Sequence, residues 1–504
     1  MNDIKIISMY LPQFHIVEEN ERWWGKGFTE WTTVKRAKSL FMGHEQPRVP
    51  FRENYYDLRD VNTLKWQADL MHTYGVDAQC MYHYWFKDGR KILEKPAELL
   101  LENTAINMPY CFCWANETWA RTWSAVGDKN SWAPTFENEE SDRDDGILLE
   151  QEYGEEKDWR KHFEYLLPFF RDERYVKVDG KPLFVIYKTA LVHCLEEMAA
   201  KWNEWAGEEG FSGIYLIGAN VGQESVPCLD KVLYHEPGCT LADRYSVGRE
   251  LCLDYSALCK NSLLYKGRHK NCIYGGFVGF DDTPRRGSGG LAVVRSTPEL
   301  FRDYLMELIS KNASLGNDLI FLNAWNEWGE GMYLEPDEKN GYEYLEALAY
   351  AKEHYKDGCK PGNPFRISAE ELLEEIDTLT QTNALYRSYW RILDRWLTRK
   401  EQGKHFEDVL RQKNISDVAV YGMGMLGRHL ICELESGSIR VEYAIDRKAD
   451  VMHEKIPVYA PDGDLPHVEA VIVTVPGIYE EVKNLLSKNG INKVLSLEEL
   501  IWEW

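Results

Sequence analysis

Two glutamates near residue 330 have the spacing and surroundings of an acid–base pair. The segment 323–331 carries Glu327 and Glu330 three residues apart, among the indoles of Trp325 and Trp328. Chemistry at a glycosidic bond needs two carboxyl groups, one that protonates the leaving oxygen and one that acts as base or nucleophile. A carboxyl group stays protonated near neutral pH when its neighbours are apolar or negatively charged. The two tryptophans and the opposing carboxylate could provide both conditions.

The competing interpretation is that Glu327 and Glu330 are solvated loop residues, as most Glu-x-x-Glu pairs are. The pair follows the last of eight predicted strands, and Gly329 and Gly331 permit a sharp turn there. Such a turn would aim both carboxyl groups into one cavity. The position therefore favours catalysis over a solvated loop.

Apolar runs alternate with amphipathic helical stretches over the first 360 residues. Several runs are continuously apolar, as parallel strands buried on both faces should be. Eight strands with intervening helices predict an α/β fold with a (β/α)8 TIM barrel over 1–360. The predicted strands are Ile4–Pro12, Asp77–Phe86, Pro109–Ala115, Leu183–Lys188, Ile214–Ala219, Lys231–Tyr234, Cys272–Val278 and Leu319–Ala324.

Polar and aromatic residues collect directly after these strands. In such barrels the strand C-termini and the loops that follow form the active-site face. Long loops are expected at Glu18–Asn54 and Thr118–Lys157, and loops of this length tend to be lids or binding loops. We expect the following residues to bind substrate: His15, Trp24, Trp31, His83, Trp85, Trp114, Asn116, Glu117, Tyr187, Asn220, Glu236, Asp281, Asn326 and Trp328.

The bulk composition narrows the class of partner. A net charge of −23 with no basic stripe argues against nucleic acid and anionic membranes. No stretch approaches 18 apolar residues, so no transmembrane segment is expected. The 11 cysteines show no disulfide pattern, and no secretory signal is recognisable, so a cytoplasmic location is expected. Aromatic residues make up 13% of the chain and could stack on sugar rings.

Five motifs in order resemble the WbsX-type family of bacterial polysaccharide-biosynthesis proteins, which are described as glycosyltransferases of O-antigen and capsule clusters. The resemblance covers about 4–358, and the family's barrel is similar to that of glycoside hydrolase family ninety-nine, the endo-α-mannosidases. The motifs lie at 9–15, 23–31, 82–86, 114–117 and 281–286.

The resemblance implies roles for the two glutamates. The hydrolases carry Asn-Glu-Trp-x-Glu-Gly, which falls on Asn326 to Gly331. By that resemblance Glu327 would deprotonate the sugar 2-hydroxyl, which attacks C1 to give an anhydro sugar with net retention. Glu330 would act as general acid and then as base. The chain has Gly329 where the mannosidases usually have His, a departure that bears on the contacts of the −1 and +1 sugars.

The other motif residues have two interpretations each. Trp24, Trp31, Trp85 and Trp114 could be stacking platforms or core residues. His15, His83, Asn116 and Glu117 could hydrogen-bond sugar hydroxyls or orient the carboxylates.

The 281–286 motif is equally open. Asp281 with Arg285 and Arg286 could fix a loop by ion pairing or bind an anionic sugar. No metal or other cofactor is expected in the barrel, because the Asp-x-Asp pattern of Asp142 and Asp144 lies in an acidic loop.

A second domain is expected after a helical connector at 361–414. The strand pattern restarts near Ser416, so 415–504 is predicted to be a small Rossmann-like α/β domain. Its cofactor-binding candidates fit a dinucleotide fingerprint after a strand, which indicates either a nucleotide or nucleotide-sugar site or a Rossmann-like assembly domain. These candidates are Gly422, Gly424, Gly427 and Asp446.

Three functions remain open from the sequence. The first is an enzyme that hydrolyses or transfers α-linked glycans, and the second is a glycosyltransferase that uses a nucleotide-sugar or lipid-linked donor. The third, disfavoured by the glutamate pair, is a non-catalytic glycan-binding scaffold. The expected partners are a glycan or sugar donor and other polysaccharide-assembly proteins.

Overall fold

The structure is a computed structural model with two compact units, 1–366 and 367–504. It describes residues 4–121, 129–130, 134, 145–221, 226–244, 252–265, 267, 271–357, 363–365, 369–435, 437–447, 449 and 455–504. Asp142 and Asp144 lie outside these ranges, as does much of the predicted loop Thr118–Lys157. Among the described helices, none is both long and apolar enough to cross a membrane.

Eight parallel strands form the nearly closed barrel of the first unit, as predicted. Neighbouring strands follow chain order, and β1 pairs with both β2 and β8. The strands are β1 (Lys5–Tyr10), β2 (Ala78–Trp85), β3 (Tyr110–Trp114), β4 (Lys181–Ile186), β5 (Tyr215–Ala219), β6 (Lys231–Tyr234), β7 (Cys272–Tyr274 and Gly276–Phe277) and β8 (Leu319–Asn323).

The interruption in β7 lets one strand serve two neighbours. Cys272–Tyr274 pairs with β6, whereas Gly276–Phe277 pairs with β8. At the break, a Cβ on Gly275 would lie 2.7 Å from the carbonyl oxygen of Tyr234. Only glycine permits this close approach of two backbones.

Helices alternate with the strands and pack outside them. The predicted loop Glu18–Asn54 is not wholly irregular, since it contains two short helices. The helices are α1 (Glu18–Trp24), α2 (Glu30–Arg36), α3 (Val61–Tyr74), α4 (Lys95–Glu102), α5 (Glu156–Arg171), α6 (Leu195–Glu208), α7 (Gly238–Arg244), α8 (Tyr255–Leu264), α9 (Thr283–Arg286), α10 (Pro298–Ser314) and α11 (Glu343–His354).

Short elements decorate the loops of this unit. The short strands are Lys91–Ile92, Thr118–Ala120, Lys129–Asn130, Ile147–Leu149, Lys177–Val178, Cys252–Asp254, Ala292–Val294, Asn326–Glu327 and Met332–Tyr333. The 3-10 turns are Phe51–Glu53, Thr189–Leu191, Gly287–Gly289, Trp328–Glu330 and Tyr355–Asp357.

The second unit is a five-stranded parallel sheet with helices. Its strand order is β11-β10-β9-β12-β13. The unit starts at Ile367 and so includes most of the predicted connector. Its strands are β9 (Asp417–Tyr421), β10 (Arg440–Ile445), β11 (Val458–Tyr459), β12 (Ala470–Val473) and β13 (Val494–Ser496), and its helices are α12 (Ala369–Glu401), α13 (Glu407–Gln412), α14 (Met425–Glu435), α15 (Tyr479–Lys488) and α16 (Leu497–Glu503).

Candidate functional site

One buried guanidinium joins three glutamates at the C-terminal end of β8. Arg285 Nη2 lies 2.5 Å from Glu327 Oε1, and its Nη1 lies 2.5 Å from Glu330 Oε1. Its Nε donates to Glu30 Oε1 at 2.9 Å. The side chains of Arg285 and Glu327 are 4% and 7% exposed, whereas that of Glu330 is 30% exposed. Glu330 is therefore the carboxyl group that meets solvent.

A short hairpin after β8 presents the two catalytic candidates. Glu327 ends a two-residue strand that pairs antiparallel with Met332, and Glu330 ends the 3-10 turn that follows. The turn closes at Gly331, which has a left-handed φ of +62°. Neighbouring loops hold it in place, because Arg48 Nη1 donates to the Gly331 carbonyl at 3.0 Å and the Asp281 N–H donates to the Glu330 carbonyl at 2.6 Å.

The carboxylate of Glu30 occupies the space beside Gly329. Glu30 begins α2 and is fully buried. A Cβ on Gly329 would overlap Glu30 Oε1 and lie 2.8 Å from Arg285 Nε. The chain's departure from the mannosidase motif therefore coincides with a buried ion pair at that position, and a histidine would not fit there without moving Glu30.

Burial and crowding of like charges raise the pKa of Glu327. Desolvation is the largest cause, Arg285 opposes it, and Glu330 and Glu30 add to it, so that the pKa rises from 4.5 to about 8. Burial alone would lower the pKa of Arg285, but the three glutamates together raise it. Three carboxyl groups share one cation, so the cluster keeps a proton near neutral pH. The raised pKa favours the protonated form of Glu327 below about pH 8 and its ionised form above it.

Two predicted residues, Tyr187 and Glu117, lie near this cluster. Burial and then the charges of Glu117 and Glu330 raise the pKa of Tyr187 well above its usual value. Lys188 Nζ lies 3.6 Å from Glu117 Oε1.

Asn220 and Asn116 shape the loops beside these residues. Asn220 Nδ2 donates to the Tyr187 carbonyl at 2.8 Å. Asn116 accepts from the Lys188 N–H at 2.8 Å and donates to the Lys188 carbonyl at 3.0 Å. Both amides therefore orient the backbone after β4.

Tyr82 and Tyr84 of β2 also face the cluster. Neither was among the residues expected to bind substrate. Burial and the Glu327 charge contribute to raising the pKa of both phenols. The Tyr82 ring lies 6.0 Å from that of Tyr187. Strict alternation along a strand could have identified these residues, because one face of β2 carries them and the other carries His83 and Trp85.

His83, Trp85 and Trp114 pack against α5 on the outer side of the sheet. His83 Nε2 lies 2.9 Å from His162 Nε2, and the Trp85 ring stacks on His162 at 4.8 Å. Trp114 Nε1 donates to the Trp85 carbonyl at 3.0 Å. Burial lowers the pKa of His83 to about 3, so the pair is neutral. These contacts favour core packing for Trp85 and Trp114, and they place His83 beside His162.

The indoles of Trp31 and Trp328 are buried and engaged with protein groups. Trp31 Nε1 donates to the Tyr56 carbonyl at 2.8 Å. Trp328 Nε1 donates to Glu335 at 2.8 Å, and its ring stacks on Tyr333 at 3.7 Å. Both indoles therefore pack against other protein groups and support the hairpin.

Two further candidates, Trp24 and Asn326, contact neighbouring structure, and a third, His15, is buried. The Arg121 guanidinium lies over the Trp24 indole, 5.7 Å from the centre of the Trp24 ring. Asn326 exchanges two hydrogen bonds with the backbone of Leu11, at 2.8 and 3.0 Å, and so ties the hairpin to the end of β1. His15 is buried, which lowers its pKa to about 4.

Asp281 is a buried acceptor for two neighbouring loops. It accepts from Gln46 Nε2 at 2.7 Å and Thr283 Oγ1 at 2.6 Å, and lies 2.9 Å from His44 Nε2. The motif's arginines pair elsewhere, Arg285 with the glutamates and Arg286 with Asp282 at 2.9 Å.

Glu236 caps the start of α7. It accepts from the Thr240 N–H at 3.0 Å and from Thr240 Oγ1 at 2.8 Å. Burial raises its pKa to about 7.

The glycine turn of the second unit is tightly folded. Gly422 has φ +95°, and a Cβ on Gly427 would clash with the Gly422 carbonyl oxygen. Gly424 faces open space, and Asp446 Oδ2 accepts from the Met423 N–H at 2.8 Å. Within the described residues, no group of three or more His, Cys, Asp or Glu side chains could hold a metal ion.

Comparisons with known proteins find two kinds of curated relative. The chain is 32% identical over 360 residues to "Uncharacterized protein WxcX" of Xanthomonas campestris pv. campestris, which covers 69% of this chain and 49% of the relative. The chain thus spans about half the length of the curated relatives it matches. A "Redox-sensing transcriptional repressor Rex" of Limosilactobacillus fermentum is 29% identical over 170 residues, 31% of this chain and 73% of that protein.

Among solved structures, the chain is similar to the GH99 endo-alpha-mannosidase from Bacteroides thetaiotaomicron. That likeness has 16% identity and a TM-score of 0.42, and covers 71% of this chain and 99% of the mannosidase. A likeness at this level bears on neither substrate nor mechanism. The family profile "Glycosyltransferase WbsX" matches residues 6–348, which is most of the chain. The chain therefore belongs to the WbsX glycosyltransferase family.

Proposed function

We propose that the chain is a carbohydrate-active enzyme that makes or breaks α-glycosidic bonds in bacterial polysaccharide metabolism, such as O-antigen or capsule assembly. The observation that carries the proposal is that Glu327 and Glu330 bind two nitrogens of one guanidinium, that of Arg285. Two carboxyl groups held this way lie close together at the active-site end of a barrel. Retaining glycosidases place their pair about 5–5.5 Å apart, and inverting ones about 6.5–9.5 Å. The shared guanidinium favours retention.

In the proposed reaction Glu327 is the base and Glu330 the acid. Ionised Glu327 takes the proton of the sugar 2-hydroxyl, and O2 attacks C1. The bond from C1 to the leaving oxygen breaks as Glu330 protonates that oxygen, which leaves an anhydro sugar. Glu330 then deprotonates water or an acceptor hydroxyl. The resulting oxygen nucleophile attacks C1 and breaks the C1–O2 bond of the anhydro sugar, and Glu327 returns its proton to O2.

The environments of the two groups suit these roles. A pKa of about 8 makes ionised Glu327 a stronger base toward a hydroxyl than an ordinary carboxylate is. Glu330 is the more exposed of the pair, so leaving group and acceptor could reach it from solvent. We assign Arg285 and Glu30 as positioning residues that set the distance and charge of the pair.

A second candidate is transfer from a nucleotide-sugar donor, favoured by the turn at Gly422 to Gly427. Gly424 faces open space where a phosphate could approach the backbone before α14. We propose that this turn belongs to a Rossmann-like domain that binds a nucleotide or nucleotide sugar. Gly424→Val should abolish binding of UDP- or GDP-sugars in calorimetry without changing the melting temperature, whereas no binding by the unaltered chain would exclude this candidate.

We also propose that the enzyme works in the cytoplasm and associates there with other polysaccharide-assembly proteins. Cys80 and Cys111 are register partners on neighbouring barrel strands and form no disulfide, as in a reducing compartment.

The test of the main proposal is a product assay on the full chain. The purified protein would be incubated with α-linked oligosaccharides, with and without nucleotide sugars, and products followed by NMR. We expect donor-independent cleavage or transfer with retained anomeric configuration, lost in Glu327→Gln. Turnover only with a nucleotide sugar would select the second candidate, and no turnover under either condition would contradict both.

A further inference from the structure

The long helix α12 carries a seven-residue repeat of apolar residues. An apolar residue at the first (a) and fourth (d) positions of successive heptads is the pattern of a two-stranded coiled coil. The repeat spans four heptads, more than a chance apolar stripe would. Its a positions are Ile376, Asn383, Trp390 and Leu397, and its d positions are Leu372, Leu379, Tyr386 and Leu393.

Three of the four stripe residues whose side chains are described are open to solvent. Tyr386 and Trp390 are each 67% exposed, and Leu397 is 60% exposed. Large apolar side chains aligned on one face mark an interaction surface, unlike ones scattered singly. The folded unit therefore leaves this face of α12 uncovered.

A different face of α12 builds the unit's own core. Ile392 and Trp396 are 1% and 4% exposed and pack with Phe406 and Trp504, and partly buried Leu393 lies at the edge of that core. At 3.6 residues per turn, this face lies about a quarter-turn from the exposed stripe. The helix thus has two apolar faces, of which the internal core uses one.

Charge and one polar residue narrow what can cover the stripe. The helix is acidic in its first half, with five acidic residues and no Lys or Arg in 369–386, and basic in its second half, with five Lys or Arg and two acidic residues in 387–401. A second copy of the helix offers both signs of charge, whereas an anionic membrane would repel the acidic half. Asn383 interrupts the apolar a positions, and a single Asn there fixes register and the number of strands at some cost in stability. Both features fit a second copy of the same helix.

We propose that two copies of this chain pair through α12 as a two-stranded coiled coil, with Tyr386, Trp390 and Leu397 in the seam. The helix has 33 residues, which corresponds to a length of about 50 Å. Pairing would join two barrels in one assembly, whatever reaction they carry out.

Sedimentation equilibrium of the full chain tests this pairing. We expect about twice the chain mass of 58.8 kDa at micromolar concentration. The double variant Tyr386→Glu/Trp390→Glu should lower the association constant by roughly 100-fold or more, because it places charges in the seam. Thr398→Glu, an exposed change off the stripe, should leave the dimer intact. A monomeric parent chain, or a double variant that remains dimeric, would overturn the proposal.

Two further variants keep the test decisive if the double variant misfolds. Leu379→Glu changes another heptad of the same stripe and should also give monomers with an unchanged melting temperature of the core. Asn383→Leu should tighten association by about 10-fold or more, since it removes the polar residue from the a positions of the repeat. Unchanged association in either variant would show that the stripe is not the interface.

Discussion

The carboxylate of Glu30 fills the volume that a side chain at position 329 would need. A Cβ on Gly329 would overlap Glu30 Oε1, and Arg285 Nε would lie only 2.8 Å away. The glycine, the glutamate and the arginine therefore form one packing unit. Disrupting this unit should lower both the free energy of unfolding and the catalytic activity.

Gly329→Ala should displace Glu30 and disturb the cluster. We expect a loss of roughly 1–3 kcal/mol in the free energy of unfolding, typical of overpacking, together with loss of activity. Gly289→Ala is the matched control, because a Cβ there meets nothing within 4 Å. Chemical denaturation of the two variants measures the difference, and the double variant Glu30→Ala/Gly329→Ala should recover part of the loss. Equal stability of the two glycine variants would contradict the packing.

The raised pKa of Glu327 predicts a pH dependence of stability. The folded pKa of about 8 lies above the ordinary value of 4.5, so the folded state holds the extra proton between these values. The stabilisation is complete below about pH 4.5 and is lost as pH rises through about 8. Relative to Glu327→Gln, the parent chain should lose roughly 4 kcal/mol across this window. Denaturant titrations at pH 5 and 8.5 measure it.

Glu30→Gln should lower the upper end of this pH range, because the Glu30 charge helps to raise the pKa of Glu327. Glu338→Gln, a change outside the cluster, should leave the window unchanged. A parent chain whose stability relative to Glu327→Gln does not vary with pH would show that Glu327 titrates normally.

The barrel could be predicted from the sequence far better than the side-chain neighbourhood of the site. Continuous apolar runs determine the strands, and all eight predicted strands form. The pair Glu327 and Glu330 was recognisable because both follow one strand. Glu30 was not selected, because it joins the pair only after α2 folds back across 255 residues of sequence onto Arg285.

The difference between expectation and structure on β2 has another origin. His83 and Trp85 were expected to bind sugar, but alternation places these two toward α5 and sends Tyr82 and Tyr84 inward. Alternation along the strand predicts which residues share a face, but not which of the two faces points into the barrel. The contacts of Trp85 with His162 decide it.

Trp85→Ala and Tyr82→Phe should therefore behave in opposite ways. The first should cost about 3–5 kcal/mol of stability, as for a buried aromatic residue, with glycan binding retained per folded molecule. The second should leave stability within about 1 kcal/mol and weaken glycan binding. Thermal melts paired with binding titrations distinguish them, and a stable Trp85→Ala that no longer binds glycan would assign Trp85 to the cleft.

The boundary between the units predicts where the chain can be shortened. A chain that ends at Arg366 should melt cooperatively, because the contacts divide there. One that ends at Lys413 keeps α12 but lacks the sheet on which Ile392 and Trp396 pack. That chain should aggregate or expose apolar surface, which dye binding would detect. The reverse order of behaviour would contradict the boundary.

The most direct test of the acid–base account is a leaving-group series on Glu327→Gln and Glu330→Gln. α-Glycosyl fluorides need no proton on the leaving group, whereas alkyl α-glycosides do. Glu330→Gln should keep kcat/KM for the fluoride within about 10-fold, because kcat/KM reports the step in which the leaving group departs, and should lose about 10²–10⁴ in kcat/KM for the alkyl glycoside. Glu327→Gln should lose about 10²–10⁴ in kcat/KM for both. Near-parental rates of both variants on the alkyl glycoside would contradict the assignment of Glu327 as base and Glu330 as acid.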